Sequence, residues 1–253
     1  MRVSLREVEE ELLEHSKRVK EEAERLRRER ISYRVLIKDV KPRWELELLN
    51  RIRDLLGDVS LLGKDSGFVG DRGSEWVCVC DVFDGSLSFM SGLKYYAYSV
   101  ALARRGELVY GLVVDLENME RYRAEKGKGA VIVSEGLERK LSEIALEVPA
   151  NFDAIVTNVR LRGFSSVELR CSSLELCYLA RGAAEVGVGR SWVPDIAGGY
   201  VVAKESGIEF ANWDFAPLGK LPIDYVEVRY VASTPKVLAE LKAKYGSIKN
   251  LLG

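Results

Sequence analysis

Cys80-Asp81-Val82-Phe83-Asp84-Gly85-Ser86-Leu87-Ser88-Phe89 carries an apolar strand, WVCVCDVF at 76–83, directly into two aspartates, a glycine and a hydroxyl residue. A strand end is a rigid support for the side chains it presents. Magnesium is a hard ion that takes oxygen ligands in octahedral geometry and keeps several waters, so Asp81, Asp84 and a free carbonyl such as that of Phe83 offer part of a coordination shell. Gly85 and Ser86 open the following turn, where unsatisfied amides and the helix dipole favour an anion. Taken alone, the Asp-Gly pair is more simply a turn in which Asp84 accepts local backbone hydrogen bonds.

A second segment, Trp192-Val193-Pro194-Asp195-Ile196-Ala197-Gly198-Gly199 and on to Gly207, reads as the entry to a helix. Asp195 is most simply its N-terminal cap, since a side-chain oxygen there satisfies orphan amides. Capping does not exclude metal binding. Ala197, Gly198 and Gly199 let such a helix approach another backbone closely.

Around these segments the chain changes character. Residues 4–30 read as one polar helix with Val8, Leu12, Leu13, Val19, Ala23 and Leu26 as an imperfect apolar stripe, which places the helix on a surface. A second helix is expected from Pro42 to Leu56, with Leu46, Leu49, Ile52 and Leu56 on its inner side and Gly57 as its stop. Strands follow at 59–63, 76–83, 96–106, 107–115 and 120–127, and the tight link at Arg105-Gly106 predicts an antiparallel hairpin. Later residues alternate: a strand near 153–157, helices over 172–181 and 195–206, a strand near 226–232 and a helix over 235–244. The expected organisation is an α+β half over 1–140 and an α/β half over 141–253 that supplies Asp195, with no linker rich in Pro, Gly or Ser between them.

Composition narrows the function classes. A chain of 253 residues with 47% hydrophobic residues buries a sizeable core, and a net charge of -1 gives no bulk attraction for nucleic acid or anionic membranes. The charged N-terminal helix has no export signal and no run is long enough to span a bilayer, so a cytoplasmic location is expected. Cys78, Cys80, Cys171 and Cys177 are expected as buried reduced thiols. The absence of glutamine and the excess of Glu, Lys and Arg hint at a thermophilic source. The sole histidine, His15, reads as a surface residue, which leaves Ser-His or Cys-His catalysis without a base. Residues 67–73 (Gly67 to Gly73) fit no dinucleotide fingerprint and read as a flexible loop over the site.

The two segments in this order resemble the inositol monophosphatase family, whose signatures read approximately D-P-[I/L]-D-G-T-x-N-F and W-D-x-A-[A/G]-G-x-x-[I/L]-x-x-E-A-G-G. The likeness extends through Ser99-Val100-Ala101-Leu102, Gly111 to Asp115, AEKGKGA at 124–130 and SSLELCYLARGAAE at 172–185, from about residue 35 to about residue 210. The helical segments are most similar to archaeal members, which act on inositol phosphates and fructose 1,6-bisphosphate. The resemblance implies a layered αβαβα sandwich, of the α+β class, usually dimeric, that binds Mg2+ (Mn2+ as a substitute) and hydrolyses a small phosphorylated metabolite. By the same resemblance Asp81, the Phe83 carbonyl, Asp84 and Asp195 correspond to metal ligands, and Gly85 and Ser86 to the phosphate-binding pair, with the Ser86 hydroxyl and Asp84 near the attacking water.

The chain departs from the family pattern at two places. Where the family carries a Glu-Glu pair after its first strand, this chain reads Gly63-Lys64-Asp65-Ser66-Gly67. An ammonium cannot ligate Mg2+; either Lys64 takes the vacated metal position and pairs with phosphate, or Asp65 moves in by one residue. Where the family reads D-V-T-x-x-D, this chain reads Asp39-Val40-Lys41-Pro42-Arg43-Trp44, which puts Trp44 in place of the water-orienting Asp and Lys41 in place of its Thr neighbour. Two functions stay open on these residues: a Mg2+-dependent sugar- or inositol-phosphate phosphatase with a reduced metal site, and a catalytically degenerate relative that binds a phosphorylated ligand or a protein partner.

Overall fold

The computed structural model describes residues 4–144 and 155–252. Helix α1 (Leu5–Arg28) begins at Ser4, whose hydroxyl and the Glu7 carboxylate form a capping box. Its inner stripe is Val8, Leu12, His15, Ser16, Val19 and Ala23. His15 is therefore not a surface residue: it fills the gap between Leu12 and Val19 and is 1% exposed. A short turn, α2 (Tyr33–Val35), and a π-helical turn over Leu36–Val40 lead into α3 (Lys41–Leu56), which ends at Gly57 with φ at 73°. The buried side of α3 is Lys41, Trp44, Glu45, Leu48, Leu49 and Ile52, while Leu46 is exposed, so the apolar stripe is turned from the expected one toward Trp44 and Leu48.

The first sheet has eight strands in the order β2-β1-β3-β4-β5-β6-β7-β8. These are β1 (Val59–Gly63), β2 (Gly67–Val69), β3 (Trp76–Asp84), β4 (Ala97–Arg104), β5 (Glu107–Asp115), β6 (Arg121–Glu125), β7 (Gly129–Ser134) and β8 (Leu137–Lys140), with the one-turn helix α4 (Ser86–Met90) after β3 and α5 (Leu141–Ile144) after β8. Strand β1 runs parallel to β3 and the remaining neighbours are antiparallel. The β4-β5 hairpin turns through Arg105 and Gly106, both at positive φ, the conformation that matches the twist of paired strands. Residues 67–69 are not a loose loop: they pair with β1, Phe68 opposite Leu62.

The second sheet has five strands in the order β10-β9-β11-β13-β12. It comprises β9 (Ile155–Thr157), β10 (Ser166–Val167), β11 (Val186–Trp192), β12 (Glu209–Ala211) and β13 (Glu227–Ser233), interleaved with α6 (Ser172–Ala180), α7 (Val193–Glu205) and α8 (Pro235–Tyr245). Of the strand expected near 153–157, residues 153 and 154 lie outside the described residues.

Alternation along the strands sends neighbouring side chains to opposite faces. Leu61, Cys78, Cys80 and Tyr98 pack under α1 and α3 with Leu12, Trp44 and Leu48. Leu62, Val79, Ala101 and Val113 face the other way, onto Leu174, Ile196, Ala197 and Val201 of α6 and α7, a layer shared with Val156, Tyr230 and Ala232 of the second sheet. Val188, Trp213 and Val231 pack against Val237 and Leu241 of α8. The stack is thus helix, sheet, helix, sheet, helix, with α6 and α7 in the middle. The four cysteines are buried and free. No described helix is long and apolar enough to cross a membrane.

Candidate functional site

Strands β1 and β3 run parallel and end side by side, which sets Lys64 and Asp65 beside the carboxylate turn: the Lys64 amide donates to the Cys80 carbonyl at 2.9 Å. The β3-β4 ladder slips between Asp81 and Asp84, releasing Val82 and Phe83 from regular pairing. Within that slip the Phe83 amide turns back to the Asp81 carboxylate at 3.0 Å, while the Phe83 ring anchors the turn against Trp44, Phe89 and Tyr96. Gly85 follows in the left-handed region (φ 76°), where an added Cβ would lie 2.3 Å from the Tyr95 carbonyl oxygen, so only glycine fits. Ser86 then starts α4 and is largely buried.

Asp195 reaches the same place from the middle layer. Helix α7 begins at Val193 rather than at Asp195, so Asp195 sits in its first turn and its carboxylate accepts the Trp192 amide at 3.2 Å. Gly198 allows the approach: a Cβ there would stand 2.7 Å from the Ser99 hydroxyl and 3.1 Å from the Leu112 and Val100 carbonyls.

The central feature is the company these carboxylates keep. Lys41, the first residue of α3, is 3% exposed, and its ammonium lies 2.8 Å from Asp65 Oδ2 and 3.1 Å from Asp81 Oδ1. Glu45, one turn on, has its carboxylate occupied by the Asp65 and Ser66 amides and the Ser66 hydroxyl, the last at 2.6 Å. Lys64 Nζ meets Asp195 Oδ2 at 2.7 Å. Asp84 accepts the Ser173 amide at 2.9 Å and the Ser173 hydroxyl at 2.7 Å, with the Cys171 thiol at 3.4 Å. The Ser86 hydroxyl has no hydrogen-bond partner among the described residues.

Electrostatics follow from burial and neighbours. Burial alone depresses the Lys41 ammonium, but Asp81 and Asp65 outweigh it and hold the group charged. For Lys64 the same balance is tipped by Asp195, with Asp81 adding to it. Burial, against the Ser66 hydroxyl, pushes Glu45 up to about 7. Asp84 is likewise pushed to about 7, by burial first and then by the charges of Asp81 and Asp195.

Glu45, Asp65 and Asp81 can each turn one oxygen to within 4.8 Å of the others, an acidic cluster of the kind that holds a metal. In this chain that cluster already encloses an ammonium. The Lys41 ammonium, paired with Asp65 and Asp81, already supplies the positive charge these oxygens would offer a divalent ion, and a second cation among them would be repelled by it. The residues present therefore do not fit a divalent metal while Lys41 and Lys64 are in place.

Of the residues singled out from sequence, Asp81, Phe83, Asp84, Gly85 and Ser86 form one turn, Asp65 and Lys64 flank it, and Asp195 joins them through Lys64. Trp44 does not take the water-orienting position: it is 1% exposed, packs on Phe83 and donates its indole N–H to Glu22 at 2.7 Å. Lys41, one turn earlier on the same side of α3, reaches the site instead. Glu45 and Ser173 were not identified from sequence, and Lys41 was read only as the replacement of a family Thr; the signal for Lys41 and Glu45 was their spacing with Leu48, Leu49 and Ile52 on one helical face.

Comparison with known proteins agrees with this architecture. The model of the inositol monophosphatase family matches residues 5–248. A protein of Methanocaldococcus jannaschii named fructose-1,6-bisphosphatase/inositol-1-monophosphatase is 28% identical over 166 residues, 59% of this chain and 62% of that one. The Nus factor SuhB of Pasteurella multocida is 28% identical over 181 residues, 64% of this chain and 66% of that one. The match therefore spans less than two thirds of the length of the Methanocaldococcus protein. Inositol monophosphatase-II of Staphylococcus aureus superposes with a TM-score of 0.76 over 95% of both chains at 20% identity, a likeness of fold.

Proposed function

Since the chain belongs to the inositol monophosphatase family, a membership that supports a phosphatase-type site, we propose that the carboxylate turn takes the phosphate group of a small phosphorylated metabolite, a sugar or inositol phosphate, and holds it without metal-driven hydrolysis. One observation carries this reading: Lys41 and Lys64 are ion-paired to the acidic side chains with which the family binds its metals. When bound in such sites, the metal lowers the pKa of an attacking water and stabilises the leaving oxygen. An ammonium cannot ligate and acidify that water. It does hold an oxyanion: Lys64 is partly exposed and keeps donors to spare beyond Asp195, and the first amides of the turn at Gly85 and Ser86 have no intrahelical acceptor. The unpartnered Ser86 hydroxyl adds a further donor. Burial raises Glu45 and Asp84 to about 7, so at neutral pH each is only partly ionised and the negative charge opposing an anion is reduced.

The test is calorimetric titration of the EDTA-treated protein with inorganic phosphate, inositol monophosphates and fructose 1,6-bisphosphate, together with a phosphate-release assay in Mg2+. The expected result is saturable binding in EDTA that is lost in Lys64→Gln and weakened in Ser86→Ala, with release at background. The competing reading, Mg2+-dependent hydrolysis at a rearranged site, is favoured by family membership and by the survival of Asp81, Asp84 and Asp195. Release that requires Mg2+ and vanishes in Asp84→Asn would establish it and overturn the binding reading.

A further inference from the structure

The lysines do more than fill a space. Lys41 lies 3.1 Å from Asp81 Oδ1 and 2.8 Å from Asp65, beside Glu45, while Lys64 pairs with Asp195 and feels Asp81 only as a nearby charge. Two tethered ammonium groups thus stand among the carboxylates that the family resemblance assigns to metal, each with an acidic partner of its own.

Both groups are held in place by their surroundings. Lys41 leaves the helix where the π-helical turn Leu36–Val40 meets α3, a local change of helical pitch at its own backbone. The Lys64 backbone is pinned on two sides, its amide on Cys80 and its carbonyl accepting the Tyr225 hydroxyl at 2.9 Å, and its ammonium lies 6.0 Å from the centre of the Trp192 ring.

We infer that Lys41 and Lys64 are the resident cations of this site, so that the protein is indifferent to divalent metal while both are present and gains a divalent-cation site when they are removed. This rests on the reading of the carboxylate turn as the ligand site. The metal would enter a cluster already built for positive charge. Removing Lys41 leaves Asp65 and Asp81 buried beside Glu45 with their cation gone, and a divalent ion that binds only the folded state then stabilises it by mass action.

The experiment uses the full chain freed of metal with EDTA, with Mn2+ and Mg2+ as probes. Thermal unfolding and the electron paramagnetic resonance signal of free Mn2+ are the readouts. For the unaltered protein, millimolar Mn2+ or Mg2+ is expected to leave both unchanged. Lys41→Met is expected to melt at a lower temperature that rises with added Mn2+, and to reduce the free-Mn2+ signal. Lys64→Glu replaces a part-exposed side chain, keeps Lys41 for the buried cluster, and is expected to bind Mn2+ even where Lys41→Met fails to fold. Stoichiometric Mn2+ binding by the unaltered protein, or a Lys64→Glu protein as indifferent to metal as its parent, overturns the inference. Phosphate binding by the unaltered protein only when Mg2+ is added also overturns it while leaving the ligand assignment standing; absence of phosphate binding with or without Mg2+ overturns the ligand assignment instead.

Discussion

The Lys64 ammonium meets the Asp195 carboxylate at 2.7 Å, and in doing so ties the end of a strand in the eight-stranded sheet to the first turn of the helix that leaves the five-stranded one. The Lys41 pair is different in kind. Its side chain is 4% exposed and that of Asp81 equally so, whereas Lys64 is 24% exposed, and this difference decides what each is worth. Removing one partner of a buried pair costs about 3–5 kcal/mol, because the other charge is left without compensation, while exposed pairs contribute ~1 kcal/mol or less. Urea denaturation at neutral pH should therefore show Lys41→Met destabilised by about 3–5 kcal/mol and Lys64→Met by about 1 kcal/mol.

His15 sets part of the pH dependence of stability. It is 1% exposed, its Nδ1 lies 3.0 Å from the Tyr98 hydroxyl, and its Nε2 has no partner among the described residues. Burial, helped by the nearby Arg51, lowers its pKa from 6.5 to about 4. The folded state thus prefers neutral imidazole, and the stability this confers is present above pH 6.5 and is lost as pH falls toward 4. The full effect is about 3 kcal/mol. Urea midpoints of the parent protein and of His15→Phe should converge in their pH response above 7, and between 6.5 and 4 only the parent should lose this increment.

Gly198 positions Asp195 by what it lacks. With two carbonyl oxygens 3.1 Å from the position of a Cβ, the methyl of Gly198→Ala cannot be absorbed by a side-chain rotation and must lift α7 from the sheet. The expected cost is about 1–3 kcal/mol. Ligand affinity should fall as well, since the Lys64–Asp195 contact moves with the helix. Gly207→Ala serves as the contrast: nothing lies near that Cβ, so any loss there comes from its positive φ and should leave affinity intact.

The thiols should be silent in the native state. Burial raises Cys80, Cys171 and Cys177 well above the usual thiol range, and Cys78 is buried on the same strand as Cys80. A disulfide-exchange reagent at pH 8 is expected to leave the folded protein unmodified over minutes and to titrate 4 thiols in urea.

The sheet neighbours of the carboxylate turn were legible because local signals agreed: an apolar strand, an Asp-Gly turn and a hairpin at Arg105-Gly106. The β7 strand was not: Lys126 and Gly127 were read as the end of the strand expected over 120–127, whereas Lys126-Gly127-Lys128 turns between the paired strands β6 and β7. The phase of α3 was misjudged for a related reason. Lys41 and Glu45 are charged, and periodicity arguments assign charge to the solvent side unless a partner is known. The partners of these two lie in the turn after β1 and on β3, about 20 to 40 residues further along the chain.

By itself the sequence determined the carboxylate turn and the run of strands followed by alternating strands and helices, because periodicity and turn chemistry act over a few neighbouring residues; the layered fold and the lysine in place of an acidic ligand followed from its resemblance to the family. Only the tertiary structure decided that Lys41 rather than Trp44 enters the site, that His15 is buried, and that Lys41 pairs with Asp65 and Asp81 while Lys64 pairs with Asp195. The energy of a buried charge depends on which opposite charges surround it, and that is settled by packing between elements distant in the chain.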